Sequence, residues 1–237
     1  MQHPVEMMAS TNLPASFAAA RQFMVDSQLR PNKVSDPRLL DAMRTIPRER
    51  FLPPHLLPLA YADQDVPLGD GRVLMAPLAF ARLAQLLLPV AGERLLVVAG
   101  GAGYGAAVLA ACDARVVAVD DDEALIAEAR SALTALGFPV TLRHGPLREG
   151  APGLDLWDAI FIEGQVAEIP DAIARQLKPG GRLVTVLSRG GNGVAVRAER
   201  PRGQAGDALL AGLAIVPAFD CATAVLSAFD FTPHFEL

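Results

Sequence analysis

One stretch decides the fold: Leu95-Leu96-Val97-Val98-Ala99-Gly100-Gly101-Ala102-Gly103-Tyr104-Gly105. Its first four residues form a short, continuous apolar run, which is typical of a strand buried on both faces of a parallel sheet. Four glycines then allow a tight turn, because glycine adopts positive φ without steric cost. The small residues at 106–111 predict a helix directly after the turn. The stretch therefore predicts a strand–turn–helix unit, the opening of an α/β fold.

The alternation of strand and helix continues after residue 112. Strands separated by helix-sized connections predict βαβ units in a doubly wound, mostly parallel, Rossmann-like sheet. The last part of the chain has strand-like runs without such connections, which favours an antiparallel hairpin at one sheet edge. The predicted strands are Arg115–Val119, Val140–Leu142, Ala159–Ile162 and Arg182–Leu187, the helices are Asp122–Leu136 and Pro170–Leu177, and the hairpin lies within Gly193–Glu199 and Ala211–Leu237.

The region before the glycine turn is predicted to be a helical extension. Apolar spacing predicts a helix over Phe17–Leu29, and Asp36 is a candidate N-cap for a second helix over Pro37–Ile46. Tyr61–Arg72 is polar and rich in glycine, so we expect a loop close to the active site, and Leu78–Leu88 is expected to be a largely buried helix. We expect one domain over residues 1–237, comprising an N-terminal helical cap and loop (1–75), a cofactor-binding core (76–190) and a C-terminal antiparallel edge (191–237).

The composition argues against several classes of protein. The net charge is −5 and no run of Lys or Arg exceeds two residues, which disfavours nonspecific nucleic-acid binding. Residues 95–112 are uncharged, but glycines interrupt them, so no membrane segment is predicted. The first fourteen residues do not resemble a signal peptide, which favours a cytoplasmic protein. Cys112 and Cys221 have no metal-binding or disulfide spacing and are expected to be small buried side chains, with no metal site.

The expected binding site lies at the carboxyl ends of the strands, where doubly wound sheets bind ligands. The second predicted strand ends at Asp120, twenty residues after Gly100. At this spacing an acidic residue accepts hydrogen bonds from a ribose hydroxyl, so we expect a nucleoside ligand. Asp121, Asp122 and Glu123 are expected to complement the positive end of the next helix. The turn alone leaves two ligands open, a dinucleotide or S-adenosylmethionine.

Several segments follow one another in the order of a known family: Ile46-Pro47-Arg48-Glu49-Arg50-Phe51-Leu52-Pro53, Ala60-Tyr61-Ala62-Asp63, Pro67-Leu68-Gly69-Asp70-Gly71, Gly101-Ala102-Gly103-Tyr104 and Leu177-Lys178-Pro179-Gly180-Gly181-Arg182-Leu183-Val184. From about residue 20 to 190 the chain resembles the protein-L-isoaspartate O-methyltransferase family. Its start at Gln28-Leu29-Arg30-Pro31 resembles a divergent bacterial branch. The resemblance implies a class I methyltransferase fold, S-adenosylmethionine as cofactor, and methyl transfer to a carboxylate of damaged aspartyl residues in a protein or peptide. It leaves the oligomeric state open.

The chain departs from the family pattern near the expected methyl group. The family serine is matched by Met75, whose thioether cannot supply the hydroxyl's hydrogen bonds. The acidic residue on the first strand is matched by Val97, and the first motif glycine by Ala99. Gly145-Pro146-Leu147 matches the family's Gly-Asp-Gly and removes a carboxylate acceptor. Methyl transfer depends mainly on alignment, so losing the serine affects recognition of an isoaspartyl substrate more than the transfer itself.

Two carboxylates join Met75 as candidate catalytic residues. Glu163 ends the fourth strand, where class I methyltransferases often place a residue facing substrate or cofactor; a solvated surface carboxylate is the alternative. Asp63 matches a family position beside the substrate cleft, as does Tyr61. His144 is a candidate adenine contact, with an ordinary surface histidine as the alternative. The candidate cofactor-binding residues are Ala99, Gly100, Gly101, Gly103, Asp120, Asp121, His144, Gly145 and Pro146.

Two further hypotheses belong to other classes of protein or acceptor. The departures from the family pattern also fit a divergent member that binds S-adenosylmethionine but has no isoaspartyl repair activity, acting on another acceptor or serving as a non-catalytic binding module. A nicotinamide-dependent oxidoreductase also uses such a sheet. The antiparallel tail and the missing catalytic Tyr-Lys or His pattern argue against it.

Overall fold

The computed structural model describes residues 13–202 and 212–230. It contains a seven-stranded sheet and a separate two-stranded antiparallel hairpin. The hairpin consists of β1 (Val66–Gly69) and β2 (Arg72–Leu74), and the sheet consists of β3 (Arg94–Val98), β4 (Arg115–Asp120), β5 (Thr141–His144), β6 (Trp157–Val166), β7 (Leu177–Arg189), β8 (Asn192–Glu199) and β9 (Ala214–Asp220).

The strand order of the main sheet is β5-β4-β3-β6-β7-β8-β9. β3 pairs in parallel with both β4 and β6, so the strand order switches direction between β3 and β6. β7 continues the parallel part, whereas β8 and β9 are antiparallel additions at the edge. The predicted doubly wound sheet with an antiparallel C-terminal edge is confirmed.

Within residues 13–202 and 212–230, six α-helices accompany the strands, and their ends follow the expected capping chemistry. The Asp36 side chain accepts a hydrogen bond at the start of the second helix, and Asp122 does the same at the fifth. Gly137 ends the fifth helix with φ 75°. The helices are α1 (Leu13–Phe23, continued as a π-helix over Met24–Leu29), α2 (Pro37–Thr45), α3 (Pro77–Leu87), α4 (Tyr104–Ala111), α5 (Glu123–Leu136) and α6 (Asp171–Ala174).

The hydrophobic core lies on both faces of the sheet. Leu95 and Val97 of β3 belong to one buried cluster, and Leu96 and Val98 belong to the other. All four side chains are fully buried, as their continuous apolar run predicts. Met24 of the N-terminal region is buried in the first cluster, so the helical extension packs into the core of the sheet.

The chain after β9 returns to the carboxyl end of β6. The Gln165 N–H donates to the Ala224 carbonyl at 3.0 Å, and the Leu226 N–H donates to the Gln165 carbonyl at 2.8 Å. A Cβ on Gly164 would lie 2.6 Å from the Leu226 side chain, so this leucine packs directly on the β6 backbone. Residues 221–229 therefore form a return segment across the end of the sheet where ligands bind.

The structure corrects the loop predicted over Tyr61–Arg72. Part of it is β1, and Arg72 itself begins β2. Pro67 and the nearby glycines obscure the strand pattern in the sequence. The tight turn needs positive φ at consecutive residues, with 106° at Gly69 and 44° at Asp70.

The helix predicted over Pro170–Leu177 is wrong beyond its first turn. α6 ends at Ala174, and Leu177 already pairs with Trp157 as the first residue of β7. Leu177 is fully buried there, so tertiary packing determines its conformation. The strand–helix alternation also fails once, because only a 3₁₀ turn at Leu147–Glu149 separates β5 from β6.

In the described residues, no helix has both the length and the apolar character needed to cross a membrane.

Candidate active site

The glycine turn lies between α5 and the β1–β2 hairpin. Gly101 and Gly103 have positive φ of 49° and 93°. A Cβ on Gly103 would lie 3.1 Å from the Ala129 Cβ, so this glycine allows close packing against α5. A Cβ on Gly101 would meet the Leu68 side chain at 3.6 Å and the Val73 carbonyl oxygen at 4.0 Å, both ordinary contacts. Gly103 is therefore required by packing, whereas Gly101 faces the hairpin.

The first half of the turn is held to β4 by its main chain. Ala99 has a positive φ of 59°, although it stands where the family has glycine. The N–H groups of Ala99 and Gly100 both donate to the Val119 carbonyl, at 3.0 and 3.4 Å. These two residues therefore shape the turn through backbone contacts.

Asp120 ends β4 beside this turn and is only 2% exposed. Its Oδ2 accepts from the Gly101 N–H at 2.9 Å, and its Oδ1 accepts from the Asp122 N–H at 3.2 Å and from Arg72 Nε at 3.3 Å. Burial raises the pKa of this carboxyl, while the Arg72 guanidinium opposes the rise. A carboxylate offers about four acceptor positions, so the three donors leave room for one more.

Arg72 joins the hairpin to two carboxylates, since its Nη2 also donates to Asp121. It lines a cleft of about 670 Å³ at the carboxyl end of β4. Ligand pockets usually have this size. Asp121 lines the cleft, whereas Asp120 lies behind the Arg72 contact. The lining residues are Asp70, Arg72, Asp121, Asp122, Glu123, Ala124, Ser227 and Ala228.

The predicted adenine-region residues lie at the end of β5, the outermost strand. His144 Nε2 is 3.1 Å from the carbonyl oxygen of Asp121, and the Gly145 N–H donates to the Asp120 carbonyl at 3.0 Å. Pro146 caps the following 3₁₀ turn. None of these three residues lines the cleft, so their contact with adenine stays a prediction.

Met75 follows β2 and is fully buried. Its carbonyl oxygen accepts a hydrogen bond from Nη2 of Arg48, which is itself fully buried and donates from Nε to the Ala60 carbonyl at 2.7 Å. Burial lowers the pKa of the Arg48 guanidinium. The position that matches the family serine is therefore fixed through its main chain and offers no hydroxyl.

Glu163 lies at the switch point, one residue beyond the pairing of β3 with β6. Its carboxylate packs on Gly105 in the first turn of α4, where a Cβ would lie 2.9 Å from the Glu163 Cδ. The residue is only 6% exposed, and burial raises its pKa to about 8, although Arg48 lowers it. The alternative of a solvated surface carboxylate is therefore wrong.

Asp63, a predicted catalytic candidate, forms a helix-capping contact. The residue is exposed, and its Oδ1 accepts from the Leu78 N–H at 3.2 Å in the first turn of α3. The Tyr61 hydroxyl donates to Glu49 and accepts from the Arg48 N–H at 3.2 Å. Both residues thus have contacts that explain their positions without a reacting group.

Sequence reasoning did not identify three residues that organise this site. Arg48 stands inside a quoted family segment, but its charged neighbours Glu49 and Arg50 give no sign in the sequence that it is buried. Arg72 was visible only as the end of a predicted loop. Asp65 accepts hydrogen bonds from the Ala76 N–H at 2.7 Å and the Ala224 N–H at 3.0 Å, a role that depends on contacts distant in sequence.

A doubly wound sheet with a glycine turn, an acidic residue ending the next strand and a cleft beside it defines the class of Rossmann-like proteins that bind a nucleoside-containing ligand. Comparison with known families is more specific. The protein-L-isoaspartate(D-aspartate) O-methyltransferase family matches residues 20–221, and the chain belongs to this family.

Individual relatives agree with this assignment. The chain is 40% identical over 182 residues to a protein-L-isoaspartate O-methyltransferase of Methylorubrum populi, covering 77% of this chain and 86% of that protein. A solved protein-L-isoaspartate O-methyltransferase superposes with a TM-score of 0.73 at 24% identity; the match covers 86% of this chain but only 65% of that protein. A Plasmodium falciparum protein described as a protein-L-isoaspartate O-methyltransferase, solved in complex with S-adenosyl-L-homocysteine, superposes with a TM-score of 0.70 at 17% identity. This match covers 88% of this chain and 98% of that protein. These two structures support the fold.

Proposed function

We propose that this protein transfers a methyl group from S-adenosylmethionine to a carboxylate of a protein or peptide, with an isoaspartyl residue as the acceptor. Family membership is the observation that carries the proposal, because the match extends over residues 20–221. The reaction joins a carboxylate oxygen to the methyl carbon while the carbon–sulfur bond breaks. A methyl ester and S-adenosylhomocysteine result.

The residues present fit this cofactor. The cleft beside Asp121 has room for a nucleoside. Behind it Asp120 keeps one unused acceptor position, which a ribose hydroxyl would reach by displacing the Arg72 contact. Buried polar atoms without a partner remain on Arg48, Tyr104 and Glu163, although nearly all buried polar groups in proteins are paired. Polar ligand groups would satisfy them.

The chain contributes mainly positioning to the proposed reaction. Bound S-adenosylmethionine supplies an electrophilic methyl group on sulfur. A carboxylate acceptor is ionised at neutral pH, so no residue must remove a proton from it. Arg48 fixes the main chain at Met75, and Asp120 fixes the turn through the Gly101 N–H. Alignment of this kind contributes roughly 7–11 kcal/mol in well-oriented reactions.

Methyl transfer to a defined peptide tests the proposal. The protein is incubated with methyl-labelled S-adenosylmethionine and an isoaspartyl peptide, with the normal aspartyl peptide as control. We expect base-labile label on the isoaspartyl peptide alone. Absence of labelled peptide, with cofactor binding intact, contradicts the assignment of the acceptor.

A methyltransferase acting on another acceptor is the second candidate function. The fully buried Met75 favours it, because the family's serine hydroxyl is missing there. Label on other carboxylates but not on the isoaspartyl peptide selects this candidate, and cofactor binding without transfer selects a binding module.

We place either activity in the cytoplasm, in keeping with the free thiols of Cys112 and Cys221.

A further inference from the structure

Three buried side chains beside the glycine turn each have a polar atom with no hydrogen-bond partner. These atoms are Nη1 of Arg48, the hydroxyl of Tyr104 and Oε2 of Glu163. Arg48 and Tyr104 are fully buried, and Glu163 is 6% exposed. Leaving such a group unpaired is unfavourable, most of all for a charged group. Three together indicate a site for a polar ligand.

The three side chains meet at the first turn of α4. Arg48 Cζ lies 4.9 Å from the centre of the Tyr104 ring. The Glu163 carboxylate packs on Gly105, the residue after Tyr104, where any Cβ would displace it. We refer to Arg48, Tyr104 and Glu163 as the buried polar cluster. It adjoins Gly103, the last glycine of the turn.

The chemistry of the cluster favours an α-amino acid group. It holds one basic and one acidic side chain, whose charges act on one another although no ion pair within 4.0 Å joins Arg48 to Glu163 in the described part of the chain. A ligand with both a carboxylate and an ammonium group satisfies both charges at once. A simple carboxylate ligand satisfies Arg48 but brings no cation that would allow Glu163 to ionise.

We propose that the buried polar cluster binds the amino-acid end of the cofactor, with its carboxylate on Arg48 and Tyr104 and its ammonium group on Glu163. This inference rests on the proposed function, because it assumes that S-adenosylmethionine binds at the glycine turn. Glu163, one residue beyond the pairing of β6 with β3, then supplies a negative charge that Val97 does not provide on β3.

Ligand binding is then coupled to proton release. The groups facing Glu163 are Arg48, Tyr104, Asp120 and Asp65. Burial holds the pKa of Glu163 at about 8, so the free protein carries a proton there at pH 7. An ammonium group stabilises the ionised carboxylate, so binding at pH 7 expels that proton.

Calorimetry with two ligands tests the inference without turnover. S-adenosylhomocysteine has the amino-acid end, whereas 5′-methylthioadenosine keeps the adenosine and sulfur but lacks it. Glu163→Gln is expected to weaken S-adenosylhomocysteine about 10- to 100-fold, the value of a hydrogen bond to a charged group. The affinity for 5′-methylthioadenosine stays within twofold. Tyr104→Phe, which removes only the hydroxyl, is expected to weaken S-adenosylhomocysteine selectively but to a smaller extent. Glu168→Gln on the surface is the control and should leave both affinities unchanged.

Calorimetric titrations in buffers of different ionisation enthalpy measure how many protons the protein releases when the ligand binds. Wild type is expected to release about one proton per S-adenosylhomocysteine at pH 7, and Glu163→Gln none. Equal weakening of both ligands, unchanged affinities, or no difference in proton release overturns the inference. Failure of both ligands to bind wild type overturns the proposed function instead. If Glu163→Gln does not fold, the inference is tested by two other measurements. These are the selective weakening of S-adenosylhomocysteine by Tyr104→Phe and the number of protons that the wild type releases on binding.

Discussion

At the scale of single residues, Glu163 links stability to pH. Its pKa rises from 4.5 to about 8 on folding, so the folded chain holds an additional proton between these values. Its contribution to stability is fully present below pH 4.5 and is lost as the pH rises through 8. Glu163→Gln is therefore expected to stabilise the ligand-free protein increasingly from pH 5 to pH 8, by roughly 1 kcal/mol per pH unit.

Urea unfolding of both proteins at pH 5, 7 and 9 measures this effect. The difference in unfolding free energy isolates Glu163, because other groups titrate in both proteins. Glu168→Gln is the matched control, since its side chain is 44% exposed. Parallel pH profiles for wild type and Glu163→Gln contradict the prediction.

The candidate site shows why single side chains are hard to place from sequence. Asp120 was predictable because a carboxylate follows a buried strand at a set distance from the glycines. Its contact with Arg72 joins residues 48 positions apart. The hydrogen bond from Arg48 to Met75 likewise depends on how the 3₁₀ helix over Arg48–Phe51 lies beside the end of β2. Periodicity carries no information about such contacts.

At the scale of elements, the glycine turn depends on the packing of α5. An alanine Cβ at Gly103 would meet Ala129 at 3.1 Å and Leu133 at 3.2 Å, with φ at 93°. Gly103→Ala is expected to lower the unfolding free energy by roughly 2–3 kcal/mol, because strain and overpacking add. Gly101→Ala, which meets only ordinary contacts, should cost roughly 1–2 kcal/mol. If urea unfolding shows the same loss of unfolding free energy for Gly103→Ala and Gly101→Ala, close packing against α5 does not explain the need for glycine at 103.

The elements of the main sheet were predictable because each strand is a compact apolar run. β3 is buried on both faces, so packing and local preference agree there. The β1–β2 hairpin was missed because Pro67 and its glycines mark a loop in any local interpretation. The helix at Pro170–Leu177 was overextended because Leu177 suits a helix locally but pairs with Trp157 in the sheet.

At the scale of the whole molecule, Asp65 connects the start of the site to the return segment. Its Oδ1 accepts from the Ala76 N–H, and its Oδ2 accepts from the Thr223 hydroxyl at 2.7 Å and the Ala224 N–H at 3.0 Å. Asp65→Ala leaves these donors without an acceptor and is expected to cost roughly 2–4 kcal/mol of unfolding free energy.

Asp63→Ala is the matched comparison for this prediction. Asp63 accepts a single hydrogen bond at an exposed helix start, so its loss should cost about 1 kcal/mol or less. Thermal or urea unfolding of the two variants gives the comparison. A larger loss of unfolding free energy for Asp63→Ala than for Asp65→Ala contradicts the proposed role of Asp65 in holding the return segment.

The return segment also sets the order of events during synthesis. Asp65 and Thr223 are 158 residues apart, and at about 5–20 residues per second the ribosome needs roughly 8–30 seconds to travel between them. During the later part of that interval, once β6 has been made, the nascent chain exposes Gly164 without Leu226 above it. The cleft is therefore complete only when Ser227 and Ala228 have emerged, so a product truncated before them lacks part of the cleft lining.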